Sequence, residues 1–167
     1  DMSLYLPSGN EARLKTAYAQ RDPRLAATVI LPYSTYVGGS TGAALTYTSR
    51  YPYRKDTAPE LDLQTRYTTR MYYWMRKFVA RGTEYQASEY TGIDMPVFRY
   101  ADVLLCLAEA LNEQGRTGEA IAYVNKVRDR AGVAELDSNV WTIVEGQEDL
   151  RRRIIDEKHW EFAGESG

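Results

Sequence analysis

A chain of 167 residues, 44% of them hydrophobic, is long enough to bury one globular core. Its 21 Lys and Arg against 23 Asp and Glu leave a net charge of −2, without the excess of positive charge that nucleic-acid binding needs. A single cysteine, Cys106, excludes a disulfide within the chain, and the six-residue apolar run around it (103–108) is far shorter than the roughly 18 residues of a membrane span. No basic segment followed by an apolar one opens the sequence, so no signal peptide is recognised, and Asp1 and Gly167 are expected to be cut ends.

In chain order, residues 11–20 have the composition of a short helix, ended by Arg21, Asp22 and Pro23. The run 25–31, with Val29 and Ile30 before Pro32, reads as a strand. Residues 37–42 are a loop by composition. If 47–53 is extended, Tyr47, Tyr51 and Tyr53 project from one side, and Pro52 confines the segment to an edge strand or a loop. Residues 71–79 read as a strand covered on both faces, with Tyr72, Trp74 and Phe78 opposite Met71, Tyr73 and Met75. Trp74 is expected to pack there.

After Pro96 the pattern turns helical. Over 99–114, Leu104, Leu107, Ala108 and Leu111 follow amphipathic spacing, with Cys106 expected inside. Gly115 suits a left-handed stop, and Thr117 is expected to cap a second helix with Glu119 near its N-terminus. That helix turns Ala120, Ile121, Val124, Val127 and Ala131 inward and ends at Gly132. A third, over 147–162, carries Leu150, Ile154, Ile155 and Phe162 on its apolar arc. The triplet Arg151, Arg152 and Arg153 points in three directions about 100° apart, which makes a solvated or salt-bridged face.

The helix pair has the size of a tetratricopeptide repeat, a helix–turn–helix unit of about 34 residues, although Leu104 and Gly132 stand where that repeat has Trp and Pro. Ala108 and Ala120 are the small residues that permit a close crossing. One such unit cannot cover its own apolar faces, so other chain must pack on it. The expected fold is mainly α with irregular and short β segments: a tetratricopeptide-like hairpin, a packed third helix and long loops. It forms one region over 1–167, with a loop- and strand-rich part (1–97), the helix pair (98–132) and a C-terminal helix (145–163).

Glu157 and Glu161 fall inside the apolar arc of the third helix, and a buried carboxylate must be paired. Arg128, at the edge of the second helix's stripe, is the expected partner of Glu157 or Glu161, in an ion pair locking the third helix onto the hairpin. General acid–base work by the two carboxylates is the competing reading. His159 is the only histidine, which excludes two-His metal motifs, and no Cys/His cluster occurs. A Cys106–His159 nucleophilic pair would need an exposed thiolate. No G-x-S-x-G or P-loop pattern is present, so no catalytic residue, metal or cofactor is expected.

Four stretches resemble the SusD/RagB family, in that family's order: RDPRL (21–25), FRYADVLLCLAEALN (98–112), AIAYVNKVRDRAG (120–132) and IIDEKHWEFAGE (154–165). Lys158 stands where the family usually has Arg, and Ser166 replaces its last Gly. The family continues into an Arg- and Trp-rich segment, so the chain is expected to be the C-terminal portion of a longer protein. The resemblance implies a SusD-like α–α superhelix, in part, within a cell-surface lipoprotein of the outer membrane of Bacteroidetes-type bacteria. Such a protein captures an oligosaccharide or other nutrient for a SusC-like TonB-dependent transporter. Its membrane contact is an N-terminal lipid with no counterpart here, because Cys106 lies mid-helix. Trp160 and Tyr100, inside these motifs, read as core.

The chain holds 14 Tyr, many of them beside Gly, Ser, Thr and Pro. Tyr and Trp stack on pyranose faces while their polar tips bond hydroxyls, and loops commonly carry such residues. Tyr36, Tyr47, Tyr51 and Tyr53, outside all four motifs, are the candidate ligand contacts; their competing role is to cover a thin core. Two other functions compete with this one. A tetratricopeptide interaction scaffold predicts helices throughout, whereas 25–95 looks non-helical. A glycoside hydrolase needs two facing carboxylates in a cleft, and no such pair is evident.

Overall fold

Five helices and four short strands occur among the residues that the computed structural model describes, namely 11–31, 34–37, 46–48, 74–78, 94 and 96–165. They fall into two units: Asp22–Arg24 with Pro96–Gly167, and Asp1–Arg21 with Leu25–Met95.

The first unit is built on α3 (Tyr100–Glu113), α4 (Thr117–Ala131) and α5 (Gln147–Glu161). Ala101, Leu104, Leu105, Ala108 and Leu111 repeat at helical spacing and form one core with Ala120, Val124, Val127, Leu136, Leu150 and Ile154. Burying each Leu or Ile side chain contributes about 1.5–3 kcal/mol, which offsets the ordering of three helices. Ala108 and Ala120 are both fully buried in this cluster. Gly132 ends α4 at φ 69°, where the Val133 N–H reaches the Arg128 carbonyl at 2.9 Å. Gly115, at φ 74°, turns the chain between α3 and α4.

Several expectations for this unit are corrected. Leu107 is 40% exposed and Leu105, fully buried, takes its place. Cys106 is exposed, as are Tyr100, Ile155 and Trp160. The reason is angular: every residue of 103–108 is apolar, so composition does not say which 100° sector faces inward. Once Ala101, Leu104, Ala108 and Asn112 set that sector, Cys106 and Leu107 fall outside it. Thr117 does not cap α4; Arg116 is the N-cap residue and makes no side-chain cap bond. The Thr117 hydroxyl instead donates to Asn112 Oδ1 at 3.3 Å. Buried Asn112 then donates from Nδ2 to the Gln147 carbonyl (2.9 Å), while Gln147 Nε2 donates to the Asn112 carbonyl (2.6 Å). This reciprocal pair ties the end of α3 to the start of α5.

The other unit holds α1 (Glu11–Ala19), most of α2 (Pro23–Thr28) and two antiparallel strand pairs. β1 (Val29–Ile30) pairs with β4 (Trp74–Met75), and β2 (Thr35–Val37) with β3 (Thr46–Thr48). The strand expected over 25–31 is therefore mostly helix. Asp22 Oδ1 accepts the Arg24 N–H at 2.9 Å, a side-chain cap, and Pro23 stands at the first helical position. With Leu25, Ala26 and Ala27 following, helix propensity prevails until Val29. The strand expected over 71–79 shrinks, among described residues, to Trp74–Met75. Arg76 and Lys77 N–H groups donate to the Thr28 carbonyl, Phe78 turns at φ 59°, and Met75 is exposed rather than covered. Residues 38–42, 71–73 and 79 lie outside the described residues.

Candidate functional site

α5 carries its charge inward. Glu157 is 0% exposed and Glu161 3%, one helical turn apart on the face that also buries Leu150 and Ile154. Arg24 Nη1 donates to Glu157 Oε1 at 2.6 Å and Arg128 Nη1 to Oε2 at 2.6 Å, so one carboxylate is held between two guanidiniums. Glu161 receives Arg130 Nη2 at 2.6 Å, Arg99 Nη1 at 2.8 Å and Arg24 Nη1 at 3.3 Å. Arg99 also forks onto Glu165 at 2.7 and 2.9 Å, with its guanidinium 5.0 Å from the Phe162 ring centre. Arg24 completes the set by forking onto Asp22. Among the described residues, four guanidiniums (Arg24, Arg99, Arg128, Arg130) meet four carboxylates (Asp22, Glu157, Glu161, Glu165), charge for charge.

A buried ion cluster is tolerable only when every charge is matched, because each desolvated ion alone costs several kcal/mol. Burial pushes the Asp22 carboxyl up, but hydrogen bonds from the Arg24 guanidinium and backbone outweigh it and hold it below its ordinary value. Burial likewise pulls Arg24 down, yet bonds to Asp22 and Glu157 keep it well above the usual guanidinium range. Near the start of α5, the Arg153 hydrogen bond lowers Asp149 against the opposing effect of burial. For a carboxylate depressed on folding, the unfolded chain binds more protons in the acid window. Stability is therefore full above the unfolded value, about 4, and is lost as pH falls through the folded one. Urea midpoints measured between pH 7 and pH 2 should hold roughly level to about pH 5 and then fall; a midpoint that rises below pH 4 would contradict this.

The cluster draws one or more residues from each of the four recognised stretches: Arg24 from 21–25, Arg99 from 98–112, Arg128 and Arg130 from 120–132, and Glu157, Glu161 and Glu165 from 154–165. Arg24, Arg99, Arg130 and Glu165 were not singled out by sequence reasoning. The one signal that pointed to them was an arginine or glutamate inside each stretch. Elsewhere Arg151 binds Glu113 at 2.7 Å and also Glu148, and Arg153 binds Asp149 at 2.7 Å. The arginine triplet is thus a salt-bridged face.

Of the tyrosines, Tyr36 and Tyr47 are register partners in the β2–β3 ladder, directly opposite one another. Tyr51 and Tyr53 lie outside the described residues. The Cys106 thiol is 3.6 Å from Asp102 Oδ1 and 3.8 Å from Lys158 Nζ, and His159 is exposed. No group of three or more His, Cys, Asp or Glu able to hold a metal occurs among the described residues, and no helix there is long and apolar enough to cross a membrane.

Comparison with known proteins gives a consistent result. The family model described as the SusD family matches residues 7–167. A SusD-like protein of Formosa agariphila is 46% identical over 70 residues, which is 40% of this chain and 14% of that protein. A second from the same organism is 42% identical over 69 residues, 41% of this chain and 13% of the relative. The crystal structure of a SusD-like protein from Bacteroides fragilis matches with a TM-score of 0.63 at 26% identity, over 90% of this chain and 27% of that one. The chain therefore spans a minor part of the length of the relatives it matches.

Proposed function

The chain belongs to the SusD family, and from that premise we propose that it is part of a cell-surface lipoprotein that captures oligosaccharide and delivers it to a SusC-like TonB-dependent transporter in the outer membrane. The family match over 7–167 is the observation that carries this reading. The state of the carboxylates supports binding over catalysis. Glu157 and Glu161, the pair best suited by type to acid–base work, have guanidiniums on their oxygens and are buried. In this reading the ion cluster is framework, with Arg128, Glu157 and Glu161 at its centre, and recognition belongs to the tyrosine-bearing segments. Tyr36 and Tyr47 are register partners in one ladder, which brings two of these candidates to a single rung of the backbone.

A glycan array on the full-length protein tests the capture reading, and co-purification with the transporter tests delivery. Replacing Tyr47 and Tyr51 together by alanine is expected to weaken binding of the array's best oligosaccharide about tenfold, near 1.4 kcal/mol. The far-ultraviolet circular dichroism should stay unchanged. Equal affinity in the double variant would remove those rings from the site.

A further inference from the structure

The loop between α4 and α5 is more ordered than its polar composition suggests. Asn125 clamps buried Leu136 as a peptide would, accepting its N–H at 2.7 Å and donating to its carbonyl at 3.2 Å. Asp137, at φ 59°, bonds the Thr142 carbonyl through its N–H and receives the Val144 N–H on Oδ1 at 2.7 Å. The buried Thr142 hydroxyl accepts the N–H groups of Ser138 and Asn139. This network holds Trp141, which is 87% exposed, on an ordered backbone.

Opposite it, α5 places Asp149, Arg152, Arg153, Asp156 and Trp160 on one face by their helical spacing. Trp141, Trp160 and these charged residues line one groove of about 410 Å³, within the range of small-ligand sites. The charges balance: Arg128, which also lines the groove, is neutralised by buried Glu157 at 2.6 Å, and Arg152 and Arg153 stand against Asp149 and Asp156. Arg153 is committed to Asp149 at 2.7 Å and to the Ile143 carbonyl at 2.8 Å. Arg152 is 3.6 Å from Asp149, beyond hydrogen-bond reach, and no hydrogen bond or ion pair engages the Asp156 side chain among the described residues. The groove thus offers two indoles, one donor and one acceptor with spare capacity, and no net charge.

We propose that this groove is a saccharide subsite, in which Trp141 and Trp160 stack on pyranose faces while Arg152 and Asp156 bond ring hydroxyls. A neutral ring with apolar C–H faces and hydroxyls that both donate and accept satisfies all four groups. An anion finds no net positive charge here. An amphipathic helix needs an unbroken apolar stripe, which Arg152 and Asp156 interrupt. Because the backbone at Trp141 is already ordered, binding costs the freedom of side chains and not of the loop. The inference rests on the nutrient-binding reading only for its ligand class.

The chain has three tryptophans, so the indole N–H signals of Trp141 and Trp160 can be followed by NMR beside that of Trp74. Maltohexaose, cellohexaose, mannohexaose and xylohexaose are the probes. At least one is expected to shift the Trp141 and Trp160 signals together and saturably at millimolar concentration. Trp141→Ala and, separately, Asp156→Asn should each weaken that response tenfold or more with helix content unchanged. The Tyr47→Ala, Tyr51→Ala double variant should leave it intact. The proposal is overturned if none of the four sugars moves both signals, or if Trp141→Ala binds as the parent does. If instead sugar binding disappears in the tyrosine variant while the groove signals never respond, the groove fails and the capture reading stands.

Discussion

Glu157→Ala is expected to destabilise the helical unit by about 3–5 kcal/mol, a third or more of the stability of an ordinary domain. The carboxylate lost bridges Arg24 and Arg128, and both of these residues are largely buried. Without it, Arg128 keeps its bond to the Ala134 carbonyl and Arg24 its fork onto Asp22, but the cluster carries an excess positive charge in low dielectric. Glu157→Gln retains an acceptor oxygen and most of the packing, so it should recover part of the loss. Replacing Glu157 by Leu together with Arg24 and Arg128 by Met removes charge of both signs and should be far milder than Glu157→Ala despite its three changes. Urea denaturation followed by circular dichroism separates these cases; a Glu157→Ala loss below about 1 kcal/mol would mean that water reaches the site. The exposed Arg116–Glu119 pair is the contrast, since breaking it should change stability by less than about 1 kcal/mol.

Much of the helical unit was legible because its signals are local. The stripe Ala120, Val124 and Val127, the stop at Gly132 and the extent of α5 each follow from residues within a few turns. A helical wheel also reaches Glu157, Glu161 and Arg128, since a carboxylate on an apolar arc demands a partner. It does not reach Arg24, which lies 133 positions from Glu157; one sequence has no periodicity that links such distant residues. Arg99, 62 positions from Glu161, escaped for the same reason. In the other unit the difficulty is local competition. Thr28, Val29 and Ile30 read as strand, while Asp22 and Pro23 simultaneously end α1 and begin α2. The aromatics misled differently: Tyr100 and Trp160 sit in helices whose inward sectors are already filled by Leu104, Leu105, Leu150 and Ile154, so they remain outside.

That angular distinction sets up the second large effect. Leu105→Ala should cost about 2–5 kcal/mol and Leu107→Ala no more than about 1 kcal/mol, although both are leucines in the same apolar run. Leu105 lies in one core with Leu104, Ala108, Val124 and Leu150, and α5 is tied to α3 by Asn112 and Gln147 and to α4 by the Arg128–Glu157 pair, so the helices collapse only partly into the cavity that truncation leaves. Leu107 faces solvent in part, and its loss removes little buried area. Periodicity alone had assigned the inward role to Leu107, so the pair discriminates between two rotations of α3. Paired denaturation curves decide it: a larger loss at Leu107 would mean that the helix is rotated by about 50°, half a residue's turn, from the observed face.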